Sequence, residues 1–227
     1  MLRRLLKNWL AYRPSGETAA IRAVLDRPDL ADRPFCPPDE GDLLFRLIRT
    51  RGCRKMLETG FGTGSTALYM LAASEPAGGT VTSIDWSPTE FNRLGRDTID
   101  LSGHAARHEH IEKLSQLALP ELMLAGRQFD CVLFDGWRRT DHLIFELFAA
   151  NRMLRPGGLF FMDDTIRKPY RAAIRILLGT YGYREVDYAA VGLGWRNRLY
   201  HILVRRSLHR PFRAFIKTRE TEDSFHD

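Results

Sequence analysis

Three cysteines in 227 residues, Cys36, Cys53 and Cys131, are too few and too widely spaced for a disulfide framework or a CxxC metal pair. Their scarcity favours a reducing compartment, so the chain is expected in the cytoplasm. Also missing is any apolar run near the roughly 20 residues that span a bilayer. The first twelve residues carry Arg3, Arg4 and Lys7 but no uninterrupted apolar stretch, which argues against a secretory signal. There is no internal repeat, no low-complexity tract and no dedicated nucleic-acid module. The excess of one charge sign is mild, 34 Lys and Arg against 28 Asp and Glu, a formal net charge of +6. The arginines are spread along the chain, so an anionic partner is permitted but not required.

What is present is an alternation. Apolar runs at 55–58, 80–84, 108–112, 129–134 and 157–162 predict buried strands, and helical periods at 64–74, 88–101, 114–124, 139–153 and 168–180 separate them. Ser87-Pro88-Thr89-Glu90 combines a capping box with proline at the first helical position. Such alternation implies right-handed crossovers and an α/β, Rossmann-like doubly wound sheet, mostly parallel. Runs at 184–191 and 198–205, joined by Gly192-Leu193-Gly194-Trp195, predict a C-terminal antiparallel hairpin. The division expected is a helical extension over 1–36, the main domain over 37–206 and a peripheral tail over 207–227.

Within the extension, Leu2, Leu5, Leu6, Trp9 and Leu10 share a helical face, suited to packing on the domain itself, on a second copy in a homodimer, or on a membrane surface. The proline-rich 33–38 segment reads as irregular, and a helix is expected from Asp39 to about Arg51.

In open α/β sheets ligands bind at the carboxyl ends of strands, where strand order reverses. The first strand ends in Glu58-Thr59-Gly60-Phe61-Gly62-Thr63-Gly64-Ser65-Thr66. Glycines at alternate positions let backbone approach a ligand closely, and the helix that follows offers free N–H groups to a carboxylate. An acid before the first glycine, and the third glycine one position early for GxGxxG, favour S-adenosylmethionine over a nicotinamide dinucleotide. Glu58 is expected to meet the cofactor's ammonium. Asp85, at the end of the second strand, is placed for the ribose hydroxyls and Trp86 for the adenine.

The fourth strand ends in Asp135-Gly136-Trp137-Arg138-Arg139 and the fifth in Asp163-Asp164. Three carboxylates converging at one crevice would repel one another, and two resolutions are open. A divalent cation, Mg2+ or else Mn2+ or Ca2+, is one. In the other, Asp163 caps the next helix while Asp164 pairs with an arginine such as Arg138. His104, His108 and His110 have a zinc-like spacing but follow Gly103 in what reads as an exposed loop, so they are not expected to bind zinc.

With these residues in view, the chain resembles the class I S-adenosylmethionine-dependent methyltransferases, and among them the cation-dependent O-methyltransferases that act on catechols and caffeoyl-CoA. Leu57 to Thr66 resembles that family's LEIGxxxGxS turn, Asp135-Gly136-Trp137-Arg138 its DxWK stretch, and Asp163-Asp164 its metal-binding DN pair. The segment from Glu112 to Pro120 is similar to the family's adenine-side segment. The resemblance implies Asp135, Asp163 and Asp164 as metal ligands, with Asp135 also near the methionine amine of the cofactor and Trp137, Ser115 and Gln116 around the adenine. Arg138 stands where the family has a lysine base. Arginine stays protonated and takes up no proton, so either the metal alone acidifies the hydroxyl, another residue serves, with His142 the nearest candidate, or the substrate needs no base. The expected reaction is methyl transfer to a hydroxyl of a small, acidic molecule that Arg138 or Arg139 would orient. An RNA or protein methyltransferase is a rival, weakened by the missing (N/D)PP(Y/F) turn. A non-catalytic cofactor-binding or assembly protein is another.

Overall fold

The structure is a computed structural model that describes residues 11–87, 90–187, 191, 194–200, 203 and 212–220. Most of the amphipathic segment at the N-terminus, Pro88 and Thr89 of the capping signal, and much of the expected 184–205 hairpin lie outside the described residues.

Seven strands form one sheet: β1 Lys55–Thr59, β2 Thr80–Ile84, β3 His108–Ile111, β4 Phe129–Phe134, β5 Leu154–Met162, β6 Tyr183–Glu185 and β7 Arg213–Lys217. Their spatial order is β3-β2-β1-β4-β5-β7-β6. Pairs among the first five strands are parallel, and β7 runs antiparallel to both β5 and β6. The helices are α1 Ala19–Leu25, α2 Pro38–Arg51, α3 Ser65–Ser74, α4 Glu90–Leu101, α5 Ser115–Leu124, α6 Thr140–Met153, α7 Lys168–Gly179 and α8 Trp195–Tyr200.

Side-chain period 2 splits the strands between two cores. Met56, Cys131, Leu133, Phe161 and Ile216 face α2 and α3, where Leu44, Ile48, Leu68 and Tyr69 close over them. Their neighbours Leu57, Val132, Phe134, Phe160 and Phe215 face α5, α6 and α7, against Leu119, Leu147 and Ile174. Strands buried on both faces read as continuous apolar runs, which is why β1, β2, β4 and β5 are recognisable in the sequence.

Three expectations change. The terminal hairpin exists, but its second strand is Arg213–Lys217, inside the segment read as a tail, while Trp195–Tyr200 is helical. Two charges disguise β7. Lys217 is nonetheless buried, its ammonium donating to the carbonyls of Asn151 (2.6 Å) and Leu154 (2.7 Å) where α6 ends. That satisfies orphan helix-end acceptors with a cation at the negative end of the dipole. Third, His108 and His110 lie in β3, as the 108–112 run predicts and not in the loop expected after Gly103, with the His108 ring stacked on Phe61 at 4.9 Å and the His110 ring tilted against it at 4.7 Å.

The segment before α2 is tied down by one buried acid. Asp42 is fully buried and accepts hydrogen bonds from the Tyr12 hydroxyl (2.7 Å), the Ser15 amide (2.6 Å) and the Thr18 hydroxyl. Replacing it with alanine orphans several donors at once. We expect Asp42→Ala to cost about 2–4 kcal/mol in urea-unfolding free energy, and a loss below about 1 kcal/mol would show that the anchor is unimportant.

Candidate active site

Backbone ladders continue past the strand ends and set the site's residues in a row. Asp85 N–H donates to Ile111 O, Gly60 N–H to Ile84 O (2.9 Å), Asp135 N–H to Thr59 O (2.9 Å) and Asp163 N–H to Phe134 O (3.0 Å). The carboxyl edge thus presents Asp85, the glycine turn, Asp135 and Asp163 side by side, flanking the reversal of strand order between β1 and β4. Gly60 has φ +92°, and a Cβ there would lie 2.4 Å from the Asp135 carbonyl oxygen. No L side chain fits this position.

A cavity of about 390 Å³ opens above this edge. Of the residues singled out in the sequence, Gly60, Gly62, Ser65, Thr66, Asp85, Asp135, Trp137, Arg138 and Asp163 line it. Asp85 is held in place by the Gly62 amide, which donates to its Oδ2 at 2.9 Å. The proline-rich segment is strapped across the turn, with Cys36 N–H donating to Ser65 Oγ (2.9 Å) and Thr63 Oγ1 to Pro34 O (2.9 Å). Pro34, Phe35 and Cys36 therefore form part of the wall, joined by Glu40, Phe91 and Phe212. Sequence reasoning missed these six. The only signal was the irregular 33–38 segment, since Phe91 and Phe212 sit in stretches that look like ordinary core.

Other expected residues lie elsewhere. Gly64 opens α3 beneath the turn, with φ +75°. Glu58 is fully buried, with Thr66 Oγ1 donating to one oxygen and Ser83 Oγ to the other, both at 2.7 Å. It braces the turn from below instead of lining the cavity. Trp86 is exposed, and Ser115 turns to His142, whose Nε2 lies 2.7 Å from Ser115 Oγ and 3.1 Å from Glu146 Oε1. His142 thus meets Ser115 of α5, Glu146 one turn away on its own helix, and the ring of the cavity-lining Trp137 at 5.9 Å. Neither His142, Ser115, Gln116 nor Gly64 borders the cavity as its lining residues define it.

At the β4–β5 end, burial is the main force raising the Asp135 carboxyl well above the usual carboxylate range, with Asp163 adding to it. Burial raises Asp163 as well. Asp164 takes positive φ, 52°, and is held between guanidiniums: Arg138 Nε on Oδ2 and Arg167 Nε 3.3 Å from Oδ1. Its amide donates to Asp163 Oδ1 at 2.7 Å. Among the described residues, no group of three or more His, Cys, Asp or Glu is arranged to hold a metal ion.

Glu58 also makes stability depend on pH. Burial lifts its pKa to about 7 from an ordinary 4.5, whereas burial lowers His108, which touches the same Ser83 hydroxyl, from 6.5 to about 4. A carboxyl that titrates higher in the folded state favours folding below its unfolded value and loses that advantage as pH rises through the folded one. His108 acts in the opposite sense: its contribution is present above its unfolded value and lost on acidification. The two slopes oppose one another in the native protein. Glu58→Gln removes only the first, so its unfolding free energy relative to the parent should rise by about 3 kcal/mol between pH 4.5 and 7. A difference that stays flat across that window would mean Glu58 is not held protonated.

A family profile for a methyltransferase domain matches residues 57–165, the stretch that carries the glycine turn and all three aspartate strand ends. A provisionally named O-methyltransferase of Mycolicibacterium smegmatis is 29% identical over 182 residues, covering 80% of each chain. Tricin synthase 2 of Oryza sativa subsp. japonica is 29% identical over 133 residues, 57% of this chain and 44% of that one. In fold, the chain is similar to the O-methyltransferase of Bacillus cereus solved with S-adenosylhomocysteine, with a TM-score of 0.64 and 18% identity over 95% of this chain and 97% of that one. Residues 57–165 are thus a methyltransferase domain by their match to that profile, and the sheet, mostly parallel with a C-terminal antiparallel hairpin, matches that of the methyltransferase neighbours.

Proposed function

We propose that the chain methylates a hydroxyl of a small molecule, and that arginines rather than a divalent cation balance the carboxylates beside the transferred methyl. The observation that carries this reading is the clamp on Asp164. The third carboxylate of the expected metal set is already engaged on both oxygens by Arg138 and Arg167. Guanidiniums neutralise it and, being donors only, offer no lone pair to a metal. The donor set therefore does not fit a bound Mg2+, Mn2+ or Ca2+.

The sulfonium brings a methyl already activated for transfer, so the protein's task is mainly alignment. Asp85 fits the ribose, and the amides opening α3 fit the methionine carboxylate. As the acceptor oxygen forms its bond to the methyl carbon, the carbon–sulfur bond breaks and the sulfonium becomes a neutral thioether. The hydroxyl proton passes to the Asp135–Asp163 pair, the carboxylates that line the cavity. The three free cysteines are all buried, which suits a reducing cytoplasm.

Transfer of labelled methyl from S-adenosylmethionine to a panel of hydroxylated small molecules tests the activity. Treatment with EDTA should leave the rate within about twofold, because no charge at the site depends on a cation. A loss of about tenfold or more that Mg2+ restores would refute the arginine reading while leaving methyl transfer intact.

A further inference from the structure

Helix α6 packs on the sheet through Leu143, Leu147 and Ala150, and one acid, Glu146, is buried among them. A carboxylate in such a place is costly unless paired, and an apolar residue of similar volume commonly packs there as well or better. Its partners supply a reason for it. One oxygen accepts from the Thr59 hydroxyl (3.4 Å) at the end of β1, and the other lies 3.1 Å from His142 Nε2. The same nitrogen is 2.7 Å from Ser115 Oγ, so the imidazole is pinned between α5 and α6.

The contacts continue from His142 to the cavity. Its ring lies 5.9 Å from that of Trp137, with 30° between the planes, and Trp137 lines the cavity although it is 57% exposed. A side chain so exposed has little packing to select its rotamer, so the ring at its back decides where it stands. Glu146 also lies close beneath the turn that carries Trp137. A Cβ added at Gly136 would be 3.4 Å from Thr59 Oγ1 and 3.7 Å from Glu146 Oε1.

We propose that Glu146 is a positioning residue for S-adenosylmethionine: anchored on Thr59, it fixes the His142 imidazole, which holds Trp137 in the cavity wall against the cofactor. Glu146 is not among the residues that line the cavity, so it acts through these two rings and on binding. The inference rests on the reading of this cavity as the cofactor site and adds what sets one of its walls.

Calorimetric titration of the full chain with S-adenosylhomocysteine tests it through a double-mutant cycle. Glu146→Met removes both acceptor oxygens at similar volume and should weaken binding about tenfold. Trp137→Leu should weaken it by a similar factor. Adding Glu146→Met to Trp137→Leu should cost less than about twofold more, because both substitutions remove the same contact. Glu146→Gln keeps a polar group for Thr59 and for His142, and should bind within about threefold of the parent. The positioning role is overturned if either single substitution, Glu146→Met or Trp137→Leu, binds as the parent does. It is equally overturned if Glu146→Met weakens binding by the same factor with and without Trp137, or if Glu146→Gln binds no better than Glu146→Met. Should circular dichroism show Glu146→Met unfolded, His142→Ala takes its place in the cycle with the same expectations. Failure of the parent to bind S-adenosylhomocysteine would overturn the cofactor reading itself, and the inference with it.

Discussion

A Gly60→Ala protein is expected to show no calorimetric binding of S-adenosylhomocysteine and to lose about 4 kcal/mol or more of unfolding free energy. The added methyl meets two separate penalties. At φ +92° an L side chain is strained on its own. The larger cost is the contact, since the Cβ would lie 2.4 Å from the Asp135 carbonyl oxygen and 2.6 Å from its carbon. Those atoms are backbone and cannot rotate aside. The Asp135 amide is hydrogen-bonded to Thr59 O at 2.9 Å, so relief requires β1 and β4 to separate where the cavity is built. Gly62→Ala is the control for strain. Its φ is +48° and open space surrounds the added carbon, so it should cost only about 1 kcal/mol. If the two variants proved equally stable, the close approach at Gly60 would not be real.

Removing Arg138 should have the second large effect, and a change of character along with it. Arg138→Ala leaves Asp135, Asp163 and Asp164 at one strand edge with Arg167 still paired to Asp164. Two like charges about 4 Å apart repel by about 4 kcal/mol at an effective dielectric constant near 20. The site relieves this by taking up protons or a cation. Methyl transfer is expected to fall by about 100-fold in the absence of divalent ions. Millimolar Mg2+ should then recover part of the rate, an effect absent from the parent protein. Arg138→Lys keeps the charge and should lose far less. An Arg138→Ala rate that ignored Mg2+ would show that the clamp does not stand in for a metal.

The same arginine shows where sequence reading reaches its limit. Asp135, Asp163 and Asp164 are legible as a convergent set because strand ends at one sheet edge must meet. Residue types alone do not choose between the two resolutions, since a metal and an ion pair make the same demand on the sequence. The fold was legible where burial is uniform, as in Phe129–Phe134, buried throughout. It was not legible in Arg213–Lys217, where a buried lysine satisfies carbonyls some sixty residues away in sequence. His108 and His110 misled for a related reason, since the Phe61 ring makes their strand acceptable to imidazoles. In the site, residue identity announced chemistry but not direction. Glu58 and His142 are both polar and near the turn, yet tertiary packing points one at Ser83 and Thr66 and the other at Ser115 and Glu146. Phe35 and Cys36 were invisible as site residues because only the folded strap brings them over the turn.

The cavity above Gly60 to Thr66 is the expected S-adenosylmethionine site. Calorimetric titration of the parent chain and of Asp85→Ala with S-adenosylhomocysteine, and separately with NAD, tests it most directly. The prediction is saturable one-site binding of S-adenosylhomocysteine, weakened about tenfold or more without the Asp85 carboxylate, and no heat from NAD. Saturable NAD binding, no binding of S-adenosylhomocysteine, or equal affinity in the two proteins would contradict it.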